Sequence, residues 1–353
     1  MKIALIQDWL TSFAGGEQTL LALHEMYPEA PIYTSMYRPE NLPQFANATV
    51  ITSYLQRLPG PLRRQQIALP LMPAAFESIN LKEYDTVISV GGGLSKGVIT
   101  YPGQRHISYC HTPIRYIWNL GGDDRTQNGW LRQAAAHYLR LWDVDSASRV
   151  DRFIANSQTV ADRIAKIYRM PATVVYPPIH TDRFQILQEP TRDYFLSVNR
   201  LVGYKRVDVI IEACKKAKVT LKVTGGGPDE GRLRKLAGHD PHIEFLGRVP
   251  DKALQGLYGN ARAFIQASEE DFGIVPVEAM AAGRPVIAYD KGGVRESVVA
   301  GKTGVFFGEQ TVESLTAVLT DFSDDWDSGA IRKRALEFDV EVFKEKMREV
   351  IEN

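Results

Sequence analysis

The 353-residue chain has few cysteines, no net charge and no long apolar run. Its two cysteines, Cys110 and Cys214, are too few for a disulfide framework or a zinc site. They fall in different predicted domains, which favours a reducing compartment. No run of about 18 apolar residues is present, so no membrane-spanning helix is expected. The even charge balance argues against a dedicated nucleic-acid-binding protein.

The first ten residues, MKIALIQDWL, hold a short apolar run that Gln7 and Asp8 interrupt. The apolar core of a signal peptide is longer and uncharged, so this pattern favours a buried first strand. Together with the scarcity of cysteine, it predicts a cytoplasmic protein.

Short apolar runs alternate with helical patterns along the whole chain. Such alternation of strand and helix predicts right-handed crossovers and parallel sheets. Pro177-Pro178 and the polar segment QEPTRD divide the pattern into two series, as a linker would. The sequence therefore predicts an α/β protein with two doubly wound, Rossmann-like domains that face each other across a cleft.

The individual elements are predicted from the spacing of apolar residues. Strands are expected at 2–7, 84–90, 106–112, 152–157, 172–177, 193–199 and 219–225, and in HIEFLG, RAFIQAS, RPVIAYD and TGVFF. Helices are expected at 16–26, 207–217, 250–259, 277–282, 293–299 and 311–321, and in SQTVADRIAKIYRM with Asn156 or Ser157 as the N-cap.

Ligands of doubly wound domains bind beyond the carboxyl ends of the strands. In the first domain, Gly15-Gly16 precedes a helix, and glycine there lets backbone amides approach an anion. A plain glycine turn is the alternative. His111 ends another strand, and an imidazole exchanges protons readily near neutral pH. A structural histidine is the more common case.

In the second domain, Arg200 follows the first strand and Lys205 precedes the next helix. Arginine offers phosphate a planar fork of donors, and lysine offers it a point charge. Two solvated cations are the alternative. The run Gly225-Gly226-Gly227 follows the next strand, and it lets a ligand or another backbone come close.

Residues 269–288 read EEDFGIVPVEAMAAGRPVIA and carry two glutamates eight positions apart. Glu270 lies on a predicted loop and Glu278 in a predicted helix. Between them, the amides of 272–275 lie near the helix N-terminus, where a diphosphate is favoured. Carboxylates beside an anion site suit a ligand with hydroxyls and phosphates, which is a sugar nucleotide. The alternative for each glutamate is a charge that only stabilises the helix.

These motifs, in this order, resemble the retaining glycosyltransferases of family 4, which have the GT-B fold. The pattern Glu270-x7-Glu278 is the strongest mark. Gly15-Gly16, His111, ANSQTVADRI, VVYPPIHTDRF, Arg200 with Lys205, TGGGPDEGRL and GGVRESV support it. The resemblance covers essentially the whole chain. It implies a first domain of 1–177 joined by a final helix at 340–353, and a donor-binding domain of 178–339.

The resemblance also implies roles for individual residues. Arg200 and Lys205 would bind the donor diphosphate, Glu278 the ribose and Glu270 the transferred sugar, while His111 would face the sugar and the reacting centre. Further donor-binding residues would be the glycines and amides Gly15, Gly16, Gly225, Gly226, Phe272, Gly273, Ile274 and Val275, with Arg248 and Val249 beside the base. Glu270 and His111 would be the catalytic pair.

Two departures from the common family pattern, Asn199 before Arg200 and VYPP after the linker strand, accompany CHTPIRYIWN. These variants resemble bacterial mannosyltransferases of O-antigen and exopolysaccharide assembly. They favour GDP-mannose as donor and a lipid-linked saccharide or other glycan as acceptor, with no cofactor and no metal. The alternatives are a UDP-sugar donor, a sugar-nucleotide epimerase or phosphorylase, and a sugar-binding protein with an inactive site.

The segment 53–76, SYLQRLPGPLRRQQIALPLMPAAF, combines Arg57, Arg63 and Arg64 with many apolar residues. Basic and apolar side chains together can rest on an anionic membrane surface. This predicts peripheral association with the inner face of the cell membrane. The alternative is a surface helix packed on its own domain, and prolines interrupt the amphipathic pattern.

Overall fold

A computed structural model of the chain describes residues 1–60, 65–120 and 129–352. The chain divides into two compact units. The first unit is Met1–Pro178 together with the C-terminal residues from Phe343, and the second is Ile179–Val342. The predicted boundaries lie after 177 and at 340.

The first unit is built on a seven-stranded, fully parallel sheet. Its strands are β1 (Ile3–Gln7), β2 (Ile32–Thr34), β3 (Val50–Thr52), β4 (Thr86–Gly91), β5 (Arg105–Cys110), β6 (Arg152–Ala155) and β7 (Ala172–Val174). Their order in the sheet is β3-β2-β1-β4-β5-β6-β7, so the winding reverses between β1 and β4. The helices are α1 (Gly15–Met26), α2 (Gln65–Ala68), α3 (Met72–Glu77), α4 (Arg115–Trp118), α5 (Trp130–Ala147) and α6 (Gln158–Tyr168).

The second unit repeats this plan with a six-stranded parallel sheet. Its strands are β8 (Phe195–Val198), β9 (Leu221–Thr224), β10 (Ile243–Gly247), β11 (Ala263–Gln266), β12 (Val286–Tyr289) and β13 (Gly304–Phe307). The order β10-β9-β8-β11-β12-β13 reverses between β8 and β11. The helices are α7 (Val207–Ala217), α8 (Glu230–Ala237), α9 (Asp251–Asn260), α10 (Ile274–Ala281), α11 (Val294–Ser297), α12 (Val312–Thr320) and α13 (Ser328–Leu336).

A last helix, α14 (Val340–Glu352), begins in the second unit and ends in the first. Its start is fixed by the Val340 amide, which donates to the Ile179 carbonyl at 3.0 Å. Its later residues belong to the first unit, where Lys344 pairs with Glu25 at 3.0 Å. In the same region, Arg105 donates to the Ile351 carbonyl at 3.0 Å. The predicted final helix therefore exists, and it returns to the first unit.

A buried ion pair in the first unit connects the loop after β4 with helices α5 and α6. Lys96 and Asp143, whose side chains are 1% and 0% exposed, meet at 2.7 Å. The Lys96 ammonium also donates to the Gly93 carbonyl and the Ser146 hydroxyl, at 2.9 and 2.8 Å. Tyr168 donates to the same carboxylate from α6 at 3.0 Å. Each charge is thus surrounded by polar partners, which offsets the loss of hydration on burial.

His106 is a second buried titratable group in this unit. It is fully buried in β5 and lies 2.9 Å from the Ser89 hydroxyl on β4. Its other ring nitrogen lies 3.1 Å from the Arg149 carbonyl. Burial lowers the pKa of His106 to about 4, although the Arg149 carbonyl acts in the opposite direction.

This depressed pKa predicts acid destabilisation of the first unit. Between the unfolded pKa of 6.5 and the folded pKa of about 4, the unfolded chain binds a proton that the folded chain does not. The contribution of neutral His106 to the free energy of unfolding is fully present above pH 6.5. It decreases as the pH falls from 6.5 towards about 4. The free energy of unfolding should fall by about 2 kcal/mol more in the wild type than in His106→Gln between pH 7.5 and 5. An equal pH dependence of the two proteins, by chemical denaturation, would contradict this assignment.

Candidate functional site

The candidate site of the second unit lies where its sheet changes direction, beyond the ends of β8 and β11. Such reversal points are the usual ligand positions in doubly wound folds. Lys205, on the loop after β8, meets Glu270, on the loop after β11, at 2.6 Å. Each of the two side chains is 16% exposed. The structure therefore brings together one predicted phosphate ligand and one predicted catalytic carboxylate.

The orientation of Glu270 is fixed by donors that converge on one carboxylate oxygen. Lys205 and the Ser268 hydroxyl each donate to Oε1 at 2.6 Å, and the Gln266 amide donates to it at 3.3 Å. Within the described residues, no donor reaches Oε2. Oε2 therefore keeps its capacity to accept a hydrogen bond.

Two glycines allow close backbone packing against the loop that carries Glu270. The Gly293 amide donates to the Glu270 carbonyl at 2.9 Å. A Cβ on Gly293 would overlap the Asp271 carbonyl oxygen, and a Cβ on Gly292, whose φ is +76°, would overlap that of Glu270. Only glycine permits so close an approach of two backbones. The GGVRESV motif thus supports the carboxylate loop.

Glu278 occupies the second turn of α10 as the fifth residue of the helix, which begins at Ile274. The helix begins earlier than 277–282 predicts, and Pro276 is its third residue. The Tyr258 hydroxyl, on α9, donates to Glu278 Oε2 at 2.9 Å. Burial raises the pKa of Glu278, while the Tyr258 bond and the Arg183 charge lower it and Asp251 raises it.

The other predicted donor-binding residues of this unit lie on its strand-end loops. Arg200 and Arg248 are exposed, and Val249 is partly buried beside Arg248. Gly226 faces Arg248, since a Cβ there would lie 3.5 Å from Arg248 Nε. Gly225 has φ +118°, and a Cβ on it would overlap the Asn199 carbonyl oxygen. The glycine run therefore admits another backbone at Gly225, which was one of its two predicted uses.

Asn199 replaces the glycine that is common before the arginine, and its side chain has a structural partner. It is 8% exposed, and its amide donates to the Ser197 hydroxyl at 2.9 Å. Its backbone amide donates to the Thr224 carbonyl at 3.0 Å. The departure from the common motif is thus accommodated inside the unit.

The first unit places its predicted residues at the reversal between β1 and β4. A Cβ on Gly16 would lie 3.2 Å from His111 Nε2, so the backbone at the start of α1 faces the imidazole. Asp8, after β1, accepts from the Gly92 and Ser95 amides at 2.7 and 2.6 Å and so joins the two strand ends. Burial raises the pKa of Asp8, and these amides lower it.

Comparison with known proteins identifies the family. A model described as Glycosyltransferase Family 4 matches residues 13–183, and one described as Glycosyl transferases group 1 matches 178–337. The chain belongs to glycosyltransferase family 4. Both halves of this family 4 chain are therefore covered, in the order that the motifs predict.

Two curated relatives match parts of this family 4 chain. The D-inositol 3-phosphate glycosyltransferase of Streptomyces avermitilis is 28% identical over 219 residues, which are 52% of this chain and 47% of that protein. The GDP-mannose-dependent alpha-(1-6)-phosphatidylinositol monomannoside mannosyltransferase of Mycobacterium tuberculosis is 30% identical over 229 residues, or 56% of this chain and 58% of that protein. The chain thus spans about half the length of these relatives.

A solved structure, Anabaena HepE in complex with UDP and glucose, matches 100% of both chains with a TM-score of 0.71 and 18% identity. At that identity the likeness concerns the fold alone. Together with the two parallel sheets, it confirms the predicted GT-B fold.

The predicted membrane segment 53–76 divides between the core and the surface. Leu55, Met72 and Phe76 are buried in the core of the first unit. Ile67 and Leu71 are 48% and 46% exposed, and Arg57 is also exposed. Leu62, Arg63 and Arg64 lie outside the described residues. Across the described ranges, no helix is both long and apolar enough to cross a bilayer.

Three polar residues beside the predicted site were missed from the sequence. Gln266 and Ser268 bind Glu270, and Tyr258 binds Glu278. The first two carried a signal, because they alternate as polar residues at the end of an otherwise apolar, buried strand. Tyr258 carried none, since one aromatic residue in a helical pattern is ordinarily part of the core.

The close approach at Gly293 makes a stability prediction. Gly293→Ala should lower the free energy of unfolding by about 1–3 kcal/mol, because its Cβ displaces the loop of Glu270. Gly308→Ala is the matched control, since that glycine is exposed and a Cβ there meets nothing within 4 Å. Chemical denaturation of both variants measures the effect. Equal stabilities of the two variants would refute the close packing of this loop.

Proposed function

We propose that this family 4 protein is a retaining glycosyltransferase that moves a hexose from a nucleotide sugar to a glycan acceptor. The observation that carries the proposal is the pairing of Lys205 with Glu270 at the reversal point of the second sheet. A cation and a carboxylate held side by side suit a ligand that presents phosphate oxygens next to sugar hydroxyls. A purely structural ion pair would leave no role for Glu270 Oε2, which no donor reaches within the described residues.

The donor diphosphate would bind to the cations and the helix N-terminus. Arg200 is exposed and offers a bidentate fork, and Lys205 offers a point charge. The backbone amides of residues 272–275 surround the start of α10, whose dipole favours an anion. These groups would also offset the charge that builds up on the leaving diphosphate.

The two glutamates would bind different parts of the donor. Glu278 would accept hydrogen bonds from the ribose hydroxyls, with Tyr258 holding its other oxygen. Glu270 would accept from a hydroxyl of the transferred hexose through Oε2. His111, in the first unit, would face the sugar, as the family resemblance implies.

The chemical step that we propose is a front-face displacement. The acceptor hydroxyl oxygen forms a bond to the anomeric carbon on the face from which the diphosphate leaves. The bond between that carbon and the diphosphate oxygen breaks, and its electron pair stays on the diphosphate. The acceptor proton passes to a diphosphate oxygen, so no protein nucleophile is needed and the configuration is retained. We expect turnover to continue in a metal chelator.

GDP-mannose is the favoured donor. The support is the CHTPIRYIWN and VYPP variants and the likeness to a relative whose name specifies GDP-mannose. A UDP-sugar is the second candidate, because the full-length structural neighbour HepE was solved with UDP. The acceptor would be a lipid-linked saccharide or another glycan, and exposed Arg57, Ile67 and Leu71 would give peripheral contact with the membrane.

A donor screen tests this proposal. The protein is incubated separately with radiolabelled GDP-mannose, UDP-glucose and UDP-N-acetylglucosamine, and nucleotide release is measured. GDP-mannose should be turned over fastest, and Lys205→Ala should lower its turnover by about 10-fold or more, since a charge-assisted phosphate contact is lost. Faster release from a uridine donor would reverse the choice of donor, and no release from any of the three would refute the transferase activity.

The two glutamates should give different kinetic defects. A contact to the moving hexose can strengthen in the transition state, so Glu270→Ala should lower kcat. A contact to the ribose binds ground state and transition state alike, so Glu278→Ala should mainly raise KM for the donor. Steady-state kinetics of both variants measure the difference. Identical defects would contradict the division of roles, and a covalent glycosyl adduct on Glu270 in intact-mass spectra would contradict the front-face step.

A further inference from the structure

The buried side chain of Gln7, in the first unit, has an amide oxygen without a hydrogen-bond partner among the described residues. Gln7 is the last residue of β1 and is 4% exposed. Its Oε1 atom is buried and, within the described residues, makes no hydrogen bond. A buried polar group without a partner costs about 1–3 kcal/mol, so it calls for an explanation.

The Gln7 amide lies near two predicted site residues of this unit, Gly16 and His111. A Cβ on Gly16 would lie 4.0 Å from Gln7 Nε2 and 3.2 Å from His111 Nε2. The two side chains therefore approach the same backbone position. That position is the second residue of α1, a helix of 12 residues whose N-terminal amides are oriented donors.

Three neighbouring polar side chains make hydrogen bonds within the protein, unlike the Gln7 oxygen. Asp8 accepts from the Gly92 and Ser95 amides. Glu17 accepts from the Ala14 amide at 2.9 Å, and burial raises the pKa of Glu17 to about 7. The Ser95 hydroxyl donates to the Val90 carbonyl at 3.1 Å. Hydrogen bonds within the unit therefore satisfy these groups, whereas Gln7 Oε1 has none among the described residues.

We infer that Gln7 binds a hydroxyl of a saccharide substrate, beside Gly16 and His111. A primary amide both donates and accepts, as a hydroxyl does, so one amide can make two hydrogen bonds to neighbouring sugar hydroxyls. A site built in this way rejects analogues that lack the hydroxyl. The hydroxyl belongs either to the hexose of the donor or to the acceptor. The inference rests on the proposed transferase function.

Gln7→Met tests the inference, because methionine keeps the length and volume of the side chain and removes the amide. Transfer should fall by about 10- to 100-fold in kcat/KM, the loss expected for a hydrogen-bonded hydroxyl. The midpoint of thermal unfolding should stay the same or rise, since a buried amide without a partner has been removed. A structural role for Gln7 would lower that midpoint.

Thr19→Val is the matched control. Thr19 also lies on α1, is fully buried, and its hydroxyl makes no hydrogen bond within the described residues. This variant removes a comparable buried polar atom farther along the helix, away from its N-terminus. It should leave transfer unchanged.

Two further measurements on Gln7→Met, the rate of donor hydrolysis and KM for the acceptor, distinguish a donor hydroxyl from an acceptor hydroxyl. If the hydroxyl belongs to the donor hexose, slow hydrolysis of the donor without acceptor falls in parallel with transfer. If it belongs to the acceptor, donor hydrolysis is unchanged and KM for the acceptor rises. Wild-type transfer in Gln7→Met, or a lower unfolding midpoint, overturns the inference. No transfer by the wild type refutes the proposed function instead.

Discussion

The ion pair between Lys205 and Glu270 is the interaction on which the candidate site depends. It joins the loops after β8 and β11, the two strands between which the winding of the second sheet reverses. Because both side chains are largely buried, the ammonium is held in one place before any ligand arrives. A group held in this way loses little further side-chain freedom on binding, so more of its interaction with phosphate contributes to affinity. Ser268 and Gln266 donate hydrogen bonds to the Glu270 carboxylate. The Gly293 amide fixes the backbone of the loop that carries it.

In the first unit, different groups join the two strand ends at which the winding of the sheet reverses. Its sheet reverses between β1 and β4, and Asp8 joins the two strand ends through backbone amides rather than through an ion pair. The buried ion pair of this unit, between Lys96 and Asp143, lies in the interior, where it stabilises the packing of the unit. Besides Asp8, the groups at this reversal include the Gln7 amide, the Gly16 backbone and the His111 imidazole.

Much of this architecture follows from the sequence because buried parallel strands give continuous apolar runs. The runs at 2–7, 193–199 and 219–225 contain β1, β8 and β9, and α7 occupies the predicted range 207–217. Strands β2 and β3 were missed, since three residues are too few to show a period. Helix α5 was missed as well, because its buried face includes Asp143 and Ser146 and so breaks the apolar pattern.

The site was less predictable than the fold. Glycine runs, a strand-end histidine and a Glu-x7-Glu motif indicate positions, and the family resemblance supplies their order. Sequence spacing does not show which side chains meet, so the contact of Lys205 with Glu270 across 65 residues needed the structure. The same holds for Tyr258 with Glu278, and for a buried Gln7 that lacks a partner within the described residues.

The central claim is that the strand-end loops of the second sheet bind the diphosphate of a nucleotide. Hydrogen–deuterium exchange, measured with and without a saturating concentration of whichever of GDP and UDP binds more tightly, tests it most directly. Exchange should slow in the segments 199–206 and 270–278, because their amides and side chains would contact phosphate and ribose. Saturation with nucleotide that leaves both segments unchanged would contradict the account.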